Sequence, residues 1–149
     1  MELEPIGTVR SPYAEVGSIP RSRDERSRTE AVVEVLPEFA EGLKDLDGFS
    51  HVVLISHLHR STTTKLTAFP PMDDGEGPRG VFATRSPHRP NHIAMTIVEL
   101  VRVRGRELLV RGIDLLDGTP VLDIKPHIPY DARTPVKLGW LEGRLQPPE

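Results

Sequence analysis

The sequence predicts a mainly β protein, a small antiparallel β-barrel of about seven strands with one or two short helices. Short apolar runs separated by turn residues dominate the chain, and its 15 prolines punctuate the loops. Helical periodicity is confined to one short stretch. Strands that follow one another without alternating helices favour a closed or partly closed antiparallel barrel over an alternating α/β sheet.

In chain order, the helix candidate covers Glu38–Gly48, which ends near a glycine. Arg104-Gly105-Arg106 predicts a hairpin turn whose glycine takes a positive φ. Asp117-Gly118 predicts a second turn, in which the aspartate side chain is able to bond the backbone ahead of it. The predicted strands are Ile6–Arg10, Ala31–Leu36, Val52–His59, Gly80–Ala83, Ile93–Val103, Glu107–Ile113 and Pro120–Lys125.

The length and composition indicate one domain with a real core, since 149 residues suffice to bury one. We expect a domain over residues 1–131, a C-terminal tail over 132–149 and a mobile loop over the charged stretch Glu15–Glu30. The sequence has no apolar run of the roughly 18 residues that a membrane helix needs and no recognisable signal peptide, which favours a cytoplasmic location. The absence of cysteine excludes disulfides, thiolate metal ligands and cysteine nucleophiles.

Charge is unevenly distributed. The chain has a net charge of −3, yet residues 79–111 contain seven arginines and two glutamates, a local charge of +5. This segment predicts a directed contact with an anion or with RNA. Two prolines stiffen its loop and aim Arg85, Arg89 and Asn91 at fixed points, as guanidinium recognition of a carboxylate or phosphate requires. A solvated surface loop explains these residues equally well.

Two histidines at one strand end suggest a possible metal site. His57 and His59 are two residues apart and share a face of the predicted strand, a pattern that suits zinc. No third ligand at a fixed spacing completes the set, so a pocket lining or a hydrogen-bonding role is favoured. The glycine-rich nucleotide motifs, the nucleophile elbow and the H-E-x-x-H motif are also absent.

Four stretches resemble one protein family when they are taken together. They are "IGTVRSPY", "GFSHVVLISHLHR", "RGVFATRSPHRPNHIAMTIVEL" and "LLDGTPVLDIKPHIP", in this order. They resemble the YaeB/TsaA-like family of tRNA methyltransferase O (TrmO), over roughly Ile6 to Asp131. The resemblance implies a small antiparallel β-barrel that forms homodimers and binds S-adenosylmethionine (SAM). It also implies transfer of the methyl group to N6 of threonylcarbamoyl-adenosine at position 37 of tRNA, beside the anticodon.

The resemblance also assigns residues of the site. The cofactor-binding positions of the family correspond here to Ser22, Arg23, Asp24, His59, Arg60, Arg85, Met95, Asp117, Gly118, Thr119 and Pro120. Chemistry suggests that Arg85 pairs with the methionine carboxylate of SAM and that His59 or Asp117 accepts the N6 proton. No metal is required, because the sulfonium is already an activated methyl donor. The candidates for contact with the anticodon loop are Arg89, Asn91, Arg102 and Arg104.

The chain departs from the family pattern at three positions. His92 stands where the family usually has proline, His127 where it has tyrosine, and Ser22 where it often has glutamine. The first change loosens one point of the loop, and the second removes an aromatic ring that can stack on a base. The alternatives that stay open are a methyltransferase of another base or of a small molecule, a SAM- or RNA-binding module without catalysis, and a metal hydrolase that uses His57 and His59.

Overall fold

Six antiparallel strands close into a barrel, and two short strands form a separate sheet. Around the barrel the strands follow the order Gly7–Arg10, Glu30–Val35, Glu107–Arg111, Ile93–Arg104, His51–His57 and Pro120–Pro126. The computed structural model describes residues 1–145, so the last four residues of the predicted tail lie outside the described residues. The predicted antiparallel barrel is confirmed. The elements are β1 Gly7–Arg10, α1 Arg23–Ser27, β2 Glu30–Val35, β3 His51–His57, β4 Thr67–Ala68, β5 Arg79–Gly80, β6 Ile93–Arg104, β7 Glu107–Arg111 and β8 Pro120–Pro126.

Alternate side chains of the barrel strands fill its interior. β2 shows the pattern clearly, because Ala31, Val33 and Val35 are buried while the residues between them are not. Burial of one such aliphatic side chain is worth roughly 1.5–3 kcal/mol, which fixes the face that each strand turns inward. The apolar side chains with no exposed surface in residues 1–145 are Val9, Val33, Val52, Leu54, Leu108, Val110, Ile113 and Val121.

Both predicted turns form, and one is anchored differently from expectation. Gly105 has a φ of 60° in the two-residue connection between β6 and β7, and Gly118 has a φ of 80° in the second turn. The Asp117 carboxylate does not bond the backbone ahead of it. Its Oδ1 accepts a hydrogen bond of 3.1 Å from the backbone N–H of Ser11, which ties this turn to the segment after β1.

The predicted helix over Glu38–Gly48 is 3₁₀ rather than α in form. It consists of two 3₁₀ segments, Pro37–Leu43 and Leu46–Gly48, separated at Asp45 with a φ of 66°. Glycine and aspartate are poor helix formers, and an isolated helix of this length is marginal. The apolar residues of this segment serve tertiary packing, because Leu46 is buried in the core.

Three further elements differ from the sequence prediction. The predicted loop Glu15–Glu30 contains α1, whose N-cap is Ser22. The predicted strand Gly80–Ala83 pairs only over Arg79–Gly80 and then turns, because Val81 alone points inward while Phe82 is 77% exposed. The predicted strand Val52–His59 ends at His57, so His59 belongs to the following turn.

The strand β6 extends beyond its neighbour. Its pairing with β7 begins at Glu99, so the first six residues of β6 pair with β3 alone. Leu58 N donates a hydrogen bond to His92 O, and Leu100 N donates one to Ser50 O. The peptide groups of the even-numbered residues of β6 therefore point towards β3. The peptide groups of odd-numbered residues therefore point to the opposite, open edge.

The C-terminal segment contacts the chain that follows β5. It carries the 3₁₀ turn Gly139–Leu141, and the indole Nε1–H of Trp140 donates a hydrogen bond of 2.8 Å to the carbonyl of Ala83. A domain boundary at residue 131 remains a prediction. In residues 1–145 we find no helix of the length and hydrophobicity that crossing a membrane demands.

Candidate functional site

A cavity of about 730 Å³ opens where β6 extends past β7. This volume is typical of a small-molecule site. Its walls are the open edge of β6, the turn after β3, the loop before β6 and the chain between β7 and β8. The lining residues are Val16, Ile19, Leu58, His59, Arg60, Ser61, Thr84, Arg85, Ser86, Pro87, His88, Arg89, Ile93, Ala94, Met95, Thr96, Asp114, Leu115, Leu116 and Thr119.

The loop before β6 is held by its own hydrogen bonds. Thr84 donates its hydroxyl to Val81 O at 2.9 Å and accepts from the N–H of Ser86 at 3.2 Å. The guanidinium of Arg89 donates to Thr84 O at 2.9 Å, so this arginine stabilises the loop by bonding its backbone. Arg85 is exposed, lines the cavity and makes no ion pair with any residue of the described chain. Its guanidinium remains available to an anion.

His92 closes the same loop in a conformation that proline cannot adopt. Its φ is 49° and that of Asn91 is 64°, whereas the proline ring fixes φ near −65°. The His92 ring donates from Nδ1 to Pro87 O at 3.1 Å, and its Nε2 lies 3.4 Å from the hydroxyl of Thr64. The expectation that histidine loosens this point is therefore wrong, because its side chain ties the loop at both ring nitrogens.

His59 lies on the cavity wall, directly after β3. Its N–H donates to His57 O at 2.8 Å in a tight turn. Burial lowers the pKa of His59 below its ordinary value of 6.5, and the positive charges of Arg60 and His57 lower it further. The imidazole is therefore neutral at pH 7 and able to accept a proton. A Cβ added to Gly118 would lie 3.9 Å from His59 Nε2, so the second turn adjoins this histidine.

Asp114 supplies a carboxylate that the sequence analysis missed. Among the described residues it is the one acidic side chain on the cavity wall. The hydroxyl of Thr96, buried on β6, donates to Asp114 Oδ1 at 2.7 Å and thus bridges the open edge of β6 to the chain after β7. One carboxylate oxygen is held in place, and the cavity gains a fixed negative charge among arginines.

The other sequence-predicted cofactor residues are divided between the cavity wall and its surroundings. Thr119 and Met95 line the cavity, and Gly118 and Pro120 flank Thr119 along the chain, with Asp117 one residue further away. Ser22, Arg23 and Asp24 form the N-terminus of α1 and do not line the cavity. The neighbouring residues Val16 and Ile19 line it instead.

The predicted RNA-binding residues are dispersed. Arg89 is committed to the loop backbone, and Asn91 is exposed beside it. Arg102 and Arg104 are exposed near the far end of β6, about 23 and 30 Å along the strand from Met95 at roughly 3.3 Å per residue. His127 follows the end of β8 that lies away from the cavity.

Two signals within the sequence point to the missed residues. Asp114 stands three residues before the Asp117-Gly118 turn, and Thr96 occupies an inward position of the β6 alternation. The contact between them joins residues from separate elements, which no local pattern reveals. For metal binding, residues 1–145 contain no group of three or more histidine and acidic side chains able to hold an ion.

Comparison with known proteins identifies the family. The sequence-family model of the tRNA-methyltransferase O N-terminal domain matches residues 8–132 of this chain. The chain belongs to this family. A probable S-adenosyl-L-methionine-binding protein of Pyrococcus abyssi is 48% identical over 139 residues, covering 93% of this chain and 74% of that protein. The tRNA (adenine(37)-N6)-methyltransferase of Escherichia coli K12 is 35% identical over 142 residues, covering 90% and 60%.

Solved structures of the family share the fold. The crystal structure of TrmO from Pseudomonas aeruginosa has a TM-score of 0.76 and 39% sequence identity, and the match covers 93% of this chain and 62% of that one. The resemblance inferred from the four sequence stretches is thus confirmed. The chain spans about 60% of the length of both the P. aeruginosa and the E. coli protein.

We expect the imidazole of His59 to titrate with a midpoint below 6.5, because burial and neighbouring positive charge disfavour its protonated form. Arg60→Gln removes one of these charges and should raise the midpoint towards 6.5. NMR titration of the imidazole carbon-bound protons measures both values. Arg104→Gln, at the far end of β6, is the matched control and should leave the midpoint unchanged. A wild-type midpoint at or above 6.5 contradicts the described environment.

Proposed function

We propose that this chain is a SAM-dependent tRNA methyltransferase that methylates N6 of threonylcarbamoyl-adenosine at position 37. The charge pattern of the cavity carries the proposal. Arg85, whose guanidinium has no ion pair within residues 1–145, and a fixed carboxylate, Asp114, line one cavity beside the open edge of β6. This pattern matches a ligand that combines a zwitterionic amino acid with a flat heterocycle. Relatives named for SAM binding and for adenine-37 N6 methylation support it.

The residues of the cavity fit SAM group by group. Arg85 offers a guanidinium fork to the methionine carboxylate. Asp114 offers its second oxygen to the ammonium group and lowers the cost of bringing a sulfonium into a site that otherwise carries positive charge. The exposed peptide groups of Met95 suit hydrogen bonding to the adenine edge, and its thioether suits packing on the ring. The apolar side chains of Leu115 and Leu116 line the cavity and exclude water from the bound cofactor.

The proposed chemistry needs little from the protein beyond positioning and one proton acceptor. SAM supplies the methyl group on a positively charged sulfur, which leaves as a neutral thioether. The acceptor nitrogen N6 gains the methyl group and loses its proton. Neutral His59 is the proposed acceptor of that proton, because it lines the cavity with a lowered pKa. Asp117 is the weaker candidate, since its carboxylate is held by Ser11 and does not line the cavity.

Two exposed arginines are the proposed contacts with the tRNA backbone. Arg102 and Arg104 make no ion pair with any residue in the described part of the chain. Arg10, Arg106 and Arg111 are instead paired with glutamates on neighbouring strands, which removes them from the basic surface. An anticodon stem-loop extends far enough for its phosphates to reach the far end of β6 while its loop lies at the cavity. A tRNA substrate also makes the cytoplasm the proposed location.

An apolar stripe beside the cavity is the proposed homodimer contact. Ile93, Met95 and Ile97 point outward from β6 with exposures of 39%, 49% and 45%. Val53 and Ile55 lie opposite Ile97 and Met95 on β3 and extend the same outer face. Consecutive outward apolar side chains on an edge of a barrel are typical of a surface that is covered by a partner. A second copy meeting this stripe would also border the cavity.

Methyl transfer is tested with purified protein, SAM and tRNA that carries threonylcarbamoyl-adenosine. We expect the modified adenosine to gain the mass of one methyl group in nucleoside digests analysed by mass spectrometry. Unmodified tRNA and a reaction without SAM serve as controls. The rate should decrease as the pH falls through the lowered pKa of His59, because its protonated form cannot accept a proton. SAM binding without methylation of any tRNA would leave a binding function and overturn the proposed reaction.

Arginines in the loop before β6 and at the far end of β6 should separate cofactor binding from RNA binding. Arg85→Ala should weaken SAM binding by roughly 1.5–3 kcal/mol, the size of a charge-assisted hydrogen bond, which calorimetry measures as about a 10- to 150-fold rise in Kd. The double variant Arg102→Ala with Arg104→Ala should spare SAM affinity and raise the apparent KM for tRNA. Arg10→Ala, an ion-paired arginine on the same barrel exterior, is the control for both. The opposite pattern refutes both assignments.

The homodimer proposal predicts the effect of one buried charge. Ile97→Glu places a carboxylate in the centre of the stripe and should shift the protein from dimer to monomer in sedimentation velocity. Leu3→Glu introduces the same charge at an exposed apolar residue outside the stripe and should leave the dimer intact. A wild-type protein that sediments as a monomer at micromolar concentrations contradicts the proposal.

A further inference from the structure

The C-terminal segment contacts the chain that leads into the loop carrying Arg85. Trp140 donates its indole N–H to the carbonyl of Ala83 at 2.8 Å, two residues before Arg85. The Arg79 guanidinium carbon lies 5.4 Å from the centroid of the Trp140 ring, within the range of a cation–π interaction. Trp140 therefore touches both ends of the segment from Arg79 to Ala83.

Each partner of Trp140 is itself anchored. Arg79 Nε donates to Asp73 Oδ1 at 2.7 Å, and Asp73 is 1% exposed, so this ion pair is held on its acidic side in the protein interior. Glu76 Oε2 accepts from Arg79 at 3.2 Å and from Arg144 at 2.8 Å. Arg144 in turn donates to the carbonyl of Trp140. Arg79 therefore lies against the indole ring, and Arg144 holds the backbone of the same residue.

The anchored segment continues directly into the loop that carries the cavity arginines. Val81 is buried and its carbonyl receives the hydroxyl of Thr84, whose own carbonyl receives the guanidinium of Arg89. Phe82 is 77% exposed and contributes no buried anchor between them. The carbonyl of Ala83 is thus held by Trp140, which lies 57 residues later in the chain. Ala83 follows Gly80, where the two-stranded sheet ends, by three residues.

We propose that Trp140 is a positioning residue for cofactor binding, which acts by holding the Ala83 carbonyl and thereby the direction of Arg85. This inference rests on the proposed function of the cavity. It assigns a role to a part of the chain that the sequence predicts to be a tail. Trp140 itself does not line the cavity, so its effect on ligand binding passes through the loop.

The conservative variant Trp140→Phe tests the proposal, because it removes the N–H donor while keeping an aromatic ring for Arg79. We expect faster amide hydrogen exchange over residues 84–92 and a rise in the Kd for SAM of about 3- to 10-fold, as for the loss of one hydrogen bond. The kcat at saturating SAM should stay near the wild-type value. In an Arg85→Ala background, Trp140→Phe should change the Kd by less than about twofold, since the group that it positions is gone.

The controls separate this role from a general loss of stability. Tyr130→Phe alters an exposed aromatic residue of the same C-terminal region and should change neither exchange nor affinity. Unchanged exchange and unchanged SAM affinity in Trp140→Phe overturn the proposal, as does an equal loss with and without Arg85. If the wild-type protein does not bind SAM, the proposed function fails, and the exchange rates of residues 84–92 still decide whether Trp140 holds the loop.

Discussion

The unequal length of two neighbouring strands determines where this barrel opens. β6 has twelve residues and β7 has five, so the first half of β6 has a partner on one side only. The chain after β7 therefore leaves the sheet and crosses to β8, and the space between it and β6 becomes the cavity. The hydrogen bond from the Thr96 hydroxyl to the Asp114 carboxylate crosses this space and links β6 to the chain after β7. The barrel can remain closed at one end because the opening is confined to the other.

Ion pairing decides which arginines of the basic segment are available to ligands. Within this segment, Arg106 and Arg111 pair with glutamates on β2 and β6, and Arg79 pairs with Asp73 and Glu76. Exposed pairs of this kind add little stability, but they neutralise charge locally. The remaining positive charge is concentrated at the cavity mouth and at the far end of β6. A local excess of arginine in a sequence thus becomes two separate features in three dimensions.

The fold was largely predictable because period-two alternation is a strong signal in strands that bury one face. Strand positions agree to within about two residues for six of the seven predicted strands, whereas the segment at Gly80 has only one inward side chain and lacks that signal. The form of the helix at Glu38 was not predictable, because apolar spacing does not distinguish an α-helix from consecutive 3₁₀ segments packed on a core. Of the site residues predicted from motifs, His59, Arg60, Arg85, Met95 and Thr119 line the cavity. The contacts of Asp114 with Thr96 and of Trp140 with Ala83 were missed because each joins residues distant in sequence.

The open edge of β6 has an implication for how such a site changes over time. Peptide groups are present whatever side chain a residue carries, so substitutions along this edge leave its hydrogen-bonding pattern in place. The binding of a ligand by main-chain groups is therefore little affected by most substitutions at the positions that supply them. The loop around Arg85, in contrast, depends on particular side chains such as His92, whose backbone conformation excludes the proline usual at that position. Divergence among relatives can then alter the loop side of the cavity while the hydrogen-bonding groups of the β6 edge stay almost unchanged.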